Sequence, residues 1–479
     1  MAGTALDLAR LISESVQTID RACKEHDTSI PDLDKPFDPS AEAFCALPGV
    51  GKALNTAVAA ADQLVATLRL APLSALLYSG GFVNSASLRV AFEGNVASIL
   101  TDAGAEGMHV DDIAAKAGVD APKLVRYLRF LATFHIFREV RPDVFANNRI
   151  SSVLELGKPL AEIRANPVNK YEGTTGIQAF LGHVLDEGHK SSSCTWETLS
   201  DPRTACSGAP EHAAFSKWVG RELSYWDWLE LPERRKEMAR FGVAMRALQG
   251  SVVPDAIFHG FDFNSLTEKD LIVDVGGGIG NAMLLIARSN PDVRIVLQDR
   301  AAVIDDAREH WEREFPEALK SGRVLTGTPP KSHDFFLPQP VKEASVFLLR
   351  WILHDWSTDY VHRILANLRA ASGEKTRLIV IDALLPYACR VPEGGVPSWE
   401  QEGVGEGMTE AEAPEPLLAN WGIVRAHSYL GDLHMNSLLN AQERTFPDLC
   451  KVLEGAGWRI ERVFPDRTYF YPQVVAVPI

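Results

Sequence analysis

The sequence lacks the features that mark membrane-spanning, secreted and metal-binding proteins. No apolar run reaches the ~18 residues that a membrane-spanning helix needs, and the N-terminal residues show no basic region followed by an apolar one. The six cysteines are scattered over 479 residues without a Cys-x-x-Cys pair. We therefore expect a cytoplasmic protein with no membrane partner and no metal site.

Positive charge is also scarce. The chain has 48 Lys and Arg against 63 Asp and Glu, which gives a formal net charge of −15 at pH 7. A phosphate backbone would be repelled, so nucleic acid is not an expected partner. The apolar content of 46% and the length fit a globular protein of two or three domains.

One stretch, residues 271–287, organises the rest of the chain. A short β-branched run ends at Asp274, passes through four glycines and continues as an apolar helix, which predicts a strand, a tight turn and a helix. The glycines follow Gly-x-Gly-x-Gly rather than the dinucleotide pattern Gly-x-Gly-x-x-Gly. An acid directly before the turn disfavours a phosphate and suits a cofactor that carries an ammonium group, such as S-adenosylmethionine.

Three residues downstream of this turn are candidates for the nucleoside part of such a cofactor. Asp299 ends the next predicted strand, and its two oxygens match two ribose hydroxyls, although the same residue could instead cap the following helix. Asp334 could accept the adenine amino group while Phe335 stacks on the ring; the alternative is an ordinary loop acid.

The N-terminal part is predicted to be helical. Helical apolar spacing covers residues 4–26, 50–70 and 88–100, and two short helices within 109–131 precede a hairpin. This is the pattern of a winged helix-turn-helix. DNA binding through Lys123, Arg126 and Arg129 is one interpretation, but the acidic chain favours packing or dimerisation.

Residues 151–265 are predicted to be helical and contain many aromatic side chains. Such side chains usually form a core. Helices directly before a cofactor domain also commonly supply one wall of a pocket, and Trp226 and Met245 are candidates for that role.

Polar residues follow the later strands, at the edge where function lies in doubly wound sheets. The run 344–350 leads to Arg350, His354 and Asp355, and the run 376–382 ends at Asp382. A lone histidine in this position is more often structural. Asp382 and Glu443 favour chemistry, because a base that takes a phenol proton becomes an imidazolium, which a carboxylate on its other nitrogen stabilises.

The last third contains a segment of different composition. Residues 387–420 are rich in Pro, Gly and Glu, so we expect a mobile or extended insertion that buries no core. The chain ends with two predicted antiparallel strands, 458–464 and 469–477, with Arg467 in the turn between them.

Three motifs together resemble a known family. Val273-Asp-Val-Gly-Gly-Gly278, Trp351-Ile-Leu-His-Asp-Trp-Ser357 and Glu443-Arg-Thr445 are similar to the S-adenosylmethionine-dependent O-methyltransferases of the caffeate/hydroxyindole type, particularly the fungal branch of secondary metabolism. The resemblance implies an α/β fold, a doubly wound and mostly parallel seven-stranded sheet preceded by an all-α winged-helix dimerisation domain. The implied domains are 1–160 for dimerisation, 161–265 for the helical substrate-pocket region, and 266–479 for catalysis with the insertion at 387–420.

The resemblance also implies residue roles. His354 would be the proton acceptor, and Asp382 and Glu443 would position it. The implied cofactor residues are Asp274, Gly276, Gly277, Gly278, Asp299, Arg300, Asp334, Phe335 and Arg350. The substrate would contact Trp226, Met245 and Trp351.

The resulting hypothesis is a homodimeric enzyme that moves the methyl group of S-adenosylmethionine to a phenolic hydroxyl of an aromatic, polyketide-like small molecule. One alternative is a pericyclase or cyclase of the same fold that keeps the cofactor bound. Another is a non-catalytic regulatory protein that uses the winged helix.

Overall fold

The structure, a computed structural model, describes residues 4–251, 255–326, 332–392, 412–464 and 471–479. The central part of the predicted insertion, 393–411, and the turn predicted around Arg467 lie outside the described residues.

The described elements are mostly helices, joined by short loops and 3-10 turns. The α-helices in chain order are α1 (Thr4–Glu25), α2 (Val50–Leu68), α3 (Ala71–Ser79), α4 (Phe82–Glu93), α5 (Val96–Thr101), α6 (Val110–Ala117), α7 (Ala121–Thr133), α8 (Leu160–Ala165), α9 (Ile177–His183), α10 (His189–Ser192), α11 (Thr195–Ser200), α12 (Ala214–Val219), α13 (Tyr225–Leu229), α14 (Arg235–Ser251), α15 (Asn281–Ser289), α16 (Ala301–Glu314), α17 (Pro316–Lys320), α18 (Thr358–Ala371), α19 (Ala426–Leu439) and α20 (Phe446–Gly455). The strands are β1 (Met108–His109), β2 (Arg138–Arg141), β3 (Val144–Ala146), β4 (Leu271–Val275), β5 (Arg294–Gln298), β6 (Val324–Thr326), β7 (Val346–Arg350), β8 (Arg377–Ile381), β9 (Trp458–Phe464) and β10 (Gln473–Pro478).

The chain folds into two compact units, each made of several segments. The first, called the helical unit, comprises Met1–Ser193, Trp226–Leu248 and Ala413–His427. The second, called the sheet unit, comprises Cys194–Tyr225, Gln249–Glu412 and Ser428–Ile479. The predicted domain limits at residues 160 and 265 stay a prediction.

The sheet unit contains seven strands in the order β6-β5-β4-β7-β8-β10-β9. The five strands from β6 to β8 are parallel, whereas β10 runs antiparallel to both β8 and β9. The predicted mostly parallel sheet with an antiparallel end is therefore confirmed. Its strand order changes direction between β4 and β7, which is where such sheets bind ligands beyond the carboxyl ends of the strands.

Both faces of this sheet are covered, which explains why its strands are almost wholly apolar. Successive residues of β7 point to opposite cores: Phe347 and Leu349 to one, Leu348 to the other. Helices α18 and α20 cover the first face through Leu365 and Leu453, for example. Helices α15 and α16 cover the second. The sheet is thereby a rigid base for the loops at its edge.

The helical unit contains the predicted winged helix. Helix α6 ends at Ala117 and is capped by Gly118, which has a left-handed backbone. The Asp120 side chain caps α7 by accepting the Lys123 amide N–H. Strands β1, β3 and β2 form the antiparallel wing. Arg129, one of the three predicted DNA contacts, is engaged within the unit by Glu139 and Asp143, at 2.8 and 2.7 Å.

Two expectations about local structure were wrong. The single helix predicted at 88–100 is two helices, α4 and α5, because the chain breaks at Gly94 and at Asn95, which has a φ of 53°. The end of the predicted insertion does bury a core: Ala413 and Leu417 pack, together with Trp421 directly after the insertion, with Leu8 of α1 and with α2. Averaging composition over 387–420 concealed the apolar character of Ala413 and Leu417.

No single helix among the described residues has the length and apolar character of a membrane span. One bent pair, Pro39–Ala46 with Val50–Leu68, passes that test on length and composition together, with an angle of 99° between its parts.

Candidate active site

The glycine turn after β4 forms an open cradle at the carboxyl edge of the sheet. The amide N–H groups of Gly276 and Gly277 donate to the Gln298 carbonyl, at 2.8 and 3.1 Å. Gly276 has a φ of 71°, and a Cβ there would lie 2.5 Å from the Ile352 side chain, so only glycine fits. A Cβ on Gly278, whose φ is 60°, would meet nothing within 4 Å. The turn is therefore closed on one side by protein and open on the other to a ligand.

A buried acid and a guanidinium lie at the ends of the neighbouring strands β4 and β7. Asp274 is 3% exposed, and burial raises its pKa to about 7, against the opposing effect of the Arg350 charge. Burial lowers the pKa of Arg350. Within the described residues Arg350 forms no salt bridge, so both charges are available to a ligand. A ligand that carries an ammonium and a carboxylate complements this pair.

The predicted nucleoside residues lie in loops after β5 and before β7. Asp299 accepts the N–H of Gly278 on one oxygen, at 2.9 Å, and the N–H of exposed Arg300 on the other, at 2.7 Å. Each carboxylate oxygen keeps a lone pair for another donor. Burial raises the pKa of Asp299. It does not cap α16, whose N-cap residue is Arg300.

Phe335 lies beside the glycine turn, since its ring would be 3.5 Å from a Cβ on Gly276. Asp334 is exposed and accepts the Phe336 amide N–H at 2.9 Å. The Phe335 ring therefore lies next to the cradle. The adenine contacts of Asp334 and Phe335 stay a prediction.

His354 lies in a 3-10 turn, Leu353–Asp355, that follows β7. Its Nδ1–H donates to Glu443 Oε1 at 2.7 Å, and its Nε2 lies 3.5 Å from Asp355 Oδ1. The imidazole is 18% exposed and the Glu443 side chain 7%. The structure thus brings together two residues separated by 89 positions in the sequence.

The charges around the ring favour its protonated form. Burial alone acts to lower the pKa of His354, but the carboxylates of Glu443, Asp355 and Asp382 outweigh it and raise that pKa to about 10. Burial raises the pKa of Asp355 to about 6, against the opposing charge of His354. The ring is therefore a strong proton acceptor held in a group of acids.

Asp382, the third member of the predicted set, acts on His354 through its charge. It is 8% exposed, burial raises its pKa to about 7, and its Oδ1 has no hydrogen-bond partner. The hydrogen bond that orients His354 is the one its Nδ1–H donates to Glu443 instead.

The three predicted substrate residues are divided between the two units. Trp351, in the sheet unit, has a φ of 57°, and its ring lies 4.4 Å from the Arg350 guanidinium carbon and 5.3 Å from the Tyr471 ring. Trp226 packs edge-on against Phe241 at 5.7 Å within the helical unit. Met245 packs against the core of that unit. Their contact with a substrate stays a prediction.

Sequence reasoning gave no role to two residues of this site. The sequence showed Asp355 as a polar residue after a buried strand. It could not show that this carboxylate lies 3.5 Å from the His354 ring. Arg444 is the middle residue of the Glu443-Arg-Thr motif, and this position was the only indication in the sequence that it belongs to the site. Among the described residues, no group of three or more His, Cys, Asp or Glu side chains is arranged to hold a metal ion.

Comparison with known proteins agrees with this architecture. The family model for the O-methyltransferase domain matches residues 196–394, and the model for the O-methyltransferase dimerisation domain matches residues 76–155. A 4-O-methyltransferase of the fungus Phanerochaete chrysosporium is 40% identical over 476 residues, which covers 98% of each chain.

Two solved structures have a similar fold. The structure of OxaC in complex with sinefungin and meleagrin has a TM-score of 0.64 and 20% identity, and the match covers 98% of this chain and 99% of that one. A structure described as a pericyclic reaction enzyme has a TM-score of 0.62 and 16% identity, over 98% and 100% of the two chains. At these identities the likeness shows the fold alone. On the family models and the relative matched over 98% of its length, the chain belongs to the S-adenosylmethionine-dependent O-methyltransferases, with fungal enzymes among its relatives.

Proposed function

We propose that this enzyme transfers the methyl group of S-adenosylmethionine to a phenolic hydroxyl of an aromatic secondary metabolite, with His354 as the general base. The observation that carries the proposal is the 2.7 Å hydrogen bond between His354 Nδ1 and Glu443 Oε1. With Nδ1–H held by a carboxylate, Nε2 is the nitrogen that takes a proton. A phenol with a pKa near ~10 is a weak nucleophile at neutral pH, so proton removal is what a base adds.

The acids around His354 match its basicity to that of a phenol. A proton acceptor with a pKa of about 10 removes a phenol proton with little energetic penalty once it is neutral. Glu443 then stabilises the imidazolium that forms. Asp382 contributes negative charge, and Asp355 lies beside Nε2, where the hydroxyl would enter.

The cradle at the sheet edge supports the proposed cofactor. Asp274 would hold the ammonium group, Arg350 the carboxylate and Asp299 the ribose hydroxyls, with Phe335 against the adenine; Gly276, Gly277 and Gly278 let the ligand approach the backbone. Arg300 and Asp334 flank this group. When bound, S-adenosylmethionine supplies an electrophilic methyl group on its sulfonium.

We also infer a homodimer. The dimerisation model covers residues 76–155. Large exposed apolar side chains follow one another from the end of α2 to the start of α4, and we infer that they form one apolar face. Its members include Leu68, Leu70, Leu76, Tyr78 and Phe82, which are 66–75% exposed. An exposed apolar face of this kind is typical of an interface between subunits. The cytoplasmic location stays a prediction.

The proposal is tested with a methyl-labelled donor and a panel of phenols. Label in an ether product, with one S-adenosylhomocysteine formed per product, supports it. A pericyclase would convert its substrate without forming S-adenosylhomocysteine. Transfer of label to nitrogen or carbon acceptors only would contradict the phenolic substrate.

A further inference from the structure

Arg444 connects the separate chain segments that carry the proposed catalytic groups. It is 4% exposed, and its guanidinium donates to the carbonyls of Leu353 and Trp356, both at 2.8 Å. Those two carbonyls flank His354 and Asp355 on either side. The guanidinium therefore holds the His354 turn at both ends.

The backbone of Arg444 contacts the segment that follows strand β8. Its carbonyl accepts the Leu385 amide N–H at 2.9 Å, and it pairs with Leu384 as an isolated parallel bridge. These residues directly follow Asp382 and Ala383 after β8. Arg444 also follows Glu443, whose own N–H donates to Asp432 Oδ1 at 2.8 Å. The loops bearing all three proposed catalytic side chains thus meet at this residue.

The His354 turn needs such external bonds. Trp351 has a left-handed φ of 57°, and only three residues of 3-10 helix follow, so the turn has few hydrogen bonds of its own. A planar guanidinium can bridge two carbonyls at a fixed separation, whereas a lysine ammonium is a single flexible point.

Burial also makes the positive charge of Arg444 unfavourable. Burial lowers the pKa of Arg444, while Asp382 and Glu443 act in the opposite direction. A buried charge of this kind contributes little net stability compared with an apolar side chain. The two carbonyl hydrogen bonds therefore point to a geometric role for Arg444 rather than to a stabilising one.

We propose that Arg444 is a positioning residue, which fixes the imidazole of His354 relative to Glu443 and to the incoming hydroxyl. The proposal rests on the proposed function. The Arg444 guanidinium donates to backbone carbonyls, so its proposed effect on the reaction passes through the His354 turn.

The test compares Arg444→Lys with a matched control, Arg323→Lys. Arg323 also holds backbone carbonyls in the sheet unit, those of Asn290 and Ala287 at 3.2 and 3.3 Å, but they lie at α15 and the loop before β5. Since small displacements of a catalytic group reduce rates by about tenfold to 100-fold, we expect that loss in kcat for Arg444→Lys. The Kd for S-adenosylmethionine should remain within about twofold of wild type, and Arg323→Lys should keep wild-type kcat.

A second readout separates positioning from general damage. Acidic nitrophenols need less help from a base, so the kcat deficit of Arg444→Lys should shrink as the phenol pKa falls. A deficit that is equal for all phenols, or a kcat that stays at the wild-type value, overturns the proposal. Absence of turnover by the wild-type enzyme with every phenol would instead refute the proposed function.

Discussion

At the scale of single residues, the proposed methyl transfer depends on one histidine and the acids that surround it. His354 and Asp382 could be predicted because each follows an apolar strand that ends at the carboxyl edge of the sheet. Glu443 follows helix α19 and could be predicted only through the Glu443-Arg-Thr motif. Which acid holds the ring could not be predicted, because that depends on the relative placement of loops from different parts of the chain. In the structure Glu443 accepts a hydrogen bond from the His354 ring, and Asp382 acts on the ring through its charge.

The charge of Glu443 should be visible in the pH dependence of the rate. Glu443 stabilises the imidazolium and so raises the pKa of His354, which must be neutral to accept a proton. At saturating cofactor, kcat/KM for the phenol should rise with pH on the alkaline side of neutrality. For Glu443→Gln the rising limb should move on the order of one pH unit or more toward lower pH, because an opposite charge has been removed, and the plateau should fall.

Glu461→Gln is the matched control for that shift. Glu461 is a carboxylate in the same unit, paired with Arg377 at 2.7 Å on the exposed side of β9. Its removal should leave the limb unchanged. An unchanged or upward-shifted limb in Glu443→Gln would show that Glu443 does not set the basicity of the acceptor.

At the scale of elements, sequence patterns predicted those parts whose partners are close in the chain. The strand and turn at β4 and the caps of α6 and α7 follow from local residue preferences. The break between α4 and α5 was missed because Gly94 and Asn95 interrupt a continuous apolar spacing. The hydrogen bonds from the Arg444 guanidinium to the Leu353 and Trp356 carbonyls could not be predicted, because such contacts leave no spacing pattern in a sequence.

The glycine turn gives a prediction at this scale. Gly280 has a φ of 81°, and a Cβ there would lie 2.7 Å from both Leu297 Cδ1 and Trp311 Nε1. Gly280→Ala should therefore destabilise the enzyme by about 1–2 kcal/mol for the backbone and roughly 1–3 kcal/mol more for the overpacking. Calorimetric unfolding provides the measurement.

Gly278→Ala is the control for that substitution, because its Cβ would meet no atom within 4 Å. It should carry the backbone penalty alone and unfold at a higher temperature than Gly280→Ala. Its Kd for S-adenosylmethionine should nevertheless weaken, since the added methyl fills the open side of the cradle. Equal unfolding temperatures for the two variants would contradict the packing argument.

At the scale of the whole molecule, family membership rests on sequence similarity along nearly the whole chain. The relative from Phanerochaete chrysosporium matches 98% of it. The doubly wound class of the sheet could be predicted because strands and helices alternate along the sequence. The order of its strands was not predicted. The contribution of residues 413–421 to the helical unit could not be predicted, because a long-range contact is invisible in average composition.

If the apolar face is the interface of a homodimer, a charged side chain placed in it should separate the two subunits and halve the mass of the particle in solution. Leu76→Glu, at a position that is 66% exposed in one chain, should convert a species of twice 52.5 kDa into a monomer. Leu325→Ser changes an apolar side chain that is 44% exposed on β6, outside that face, and should leave the dimer intact. Light scattering distinguishes the outcomes; a dimeric Leu76→Glu enzyme would place the interface elsewhere.

The most direct measurement of the central claim is single-turnover methyl transfer to a phenol by wild-type enzyme and by His354→Ala, alongside calorimetric binding of S-adenosylmethionine to both. Since general bases contribute about 10²-fold to 10⁴-fold, the account predicts a loss of that size in the transfer rate with an unchanged cofactor Kd. Transfer by His354→Ala at the wild-type rate would contradict it.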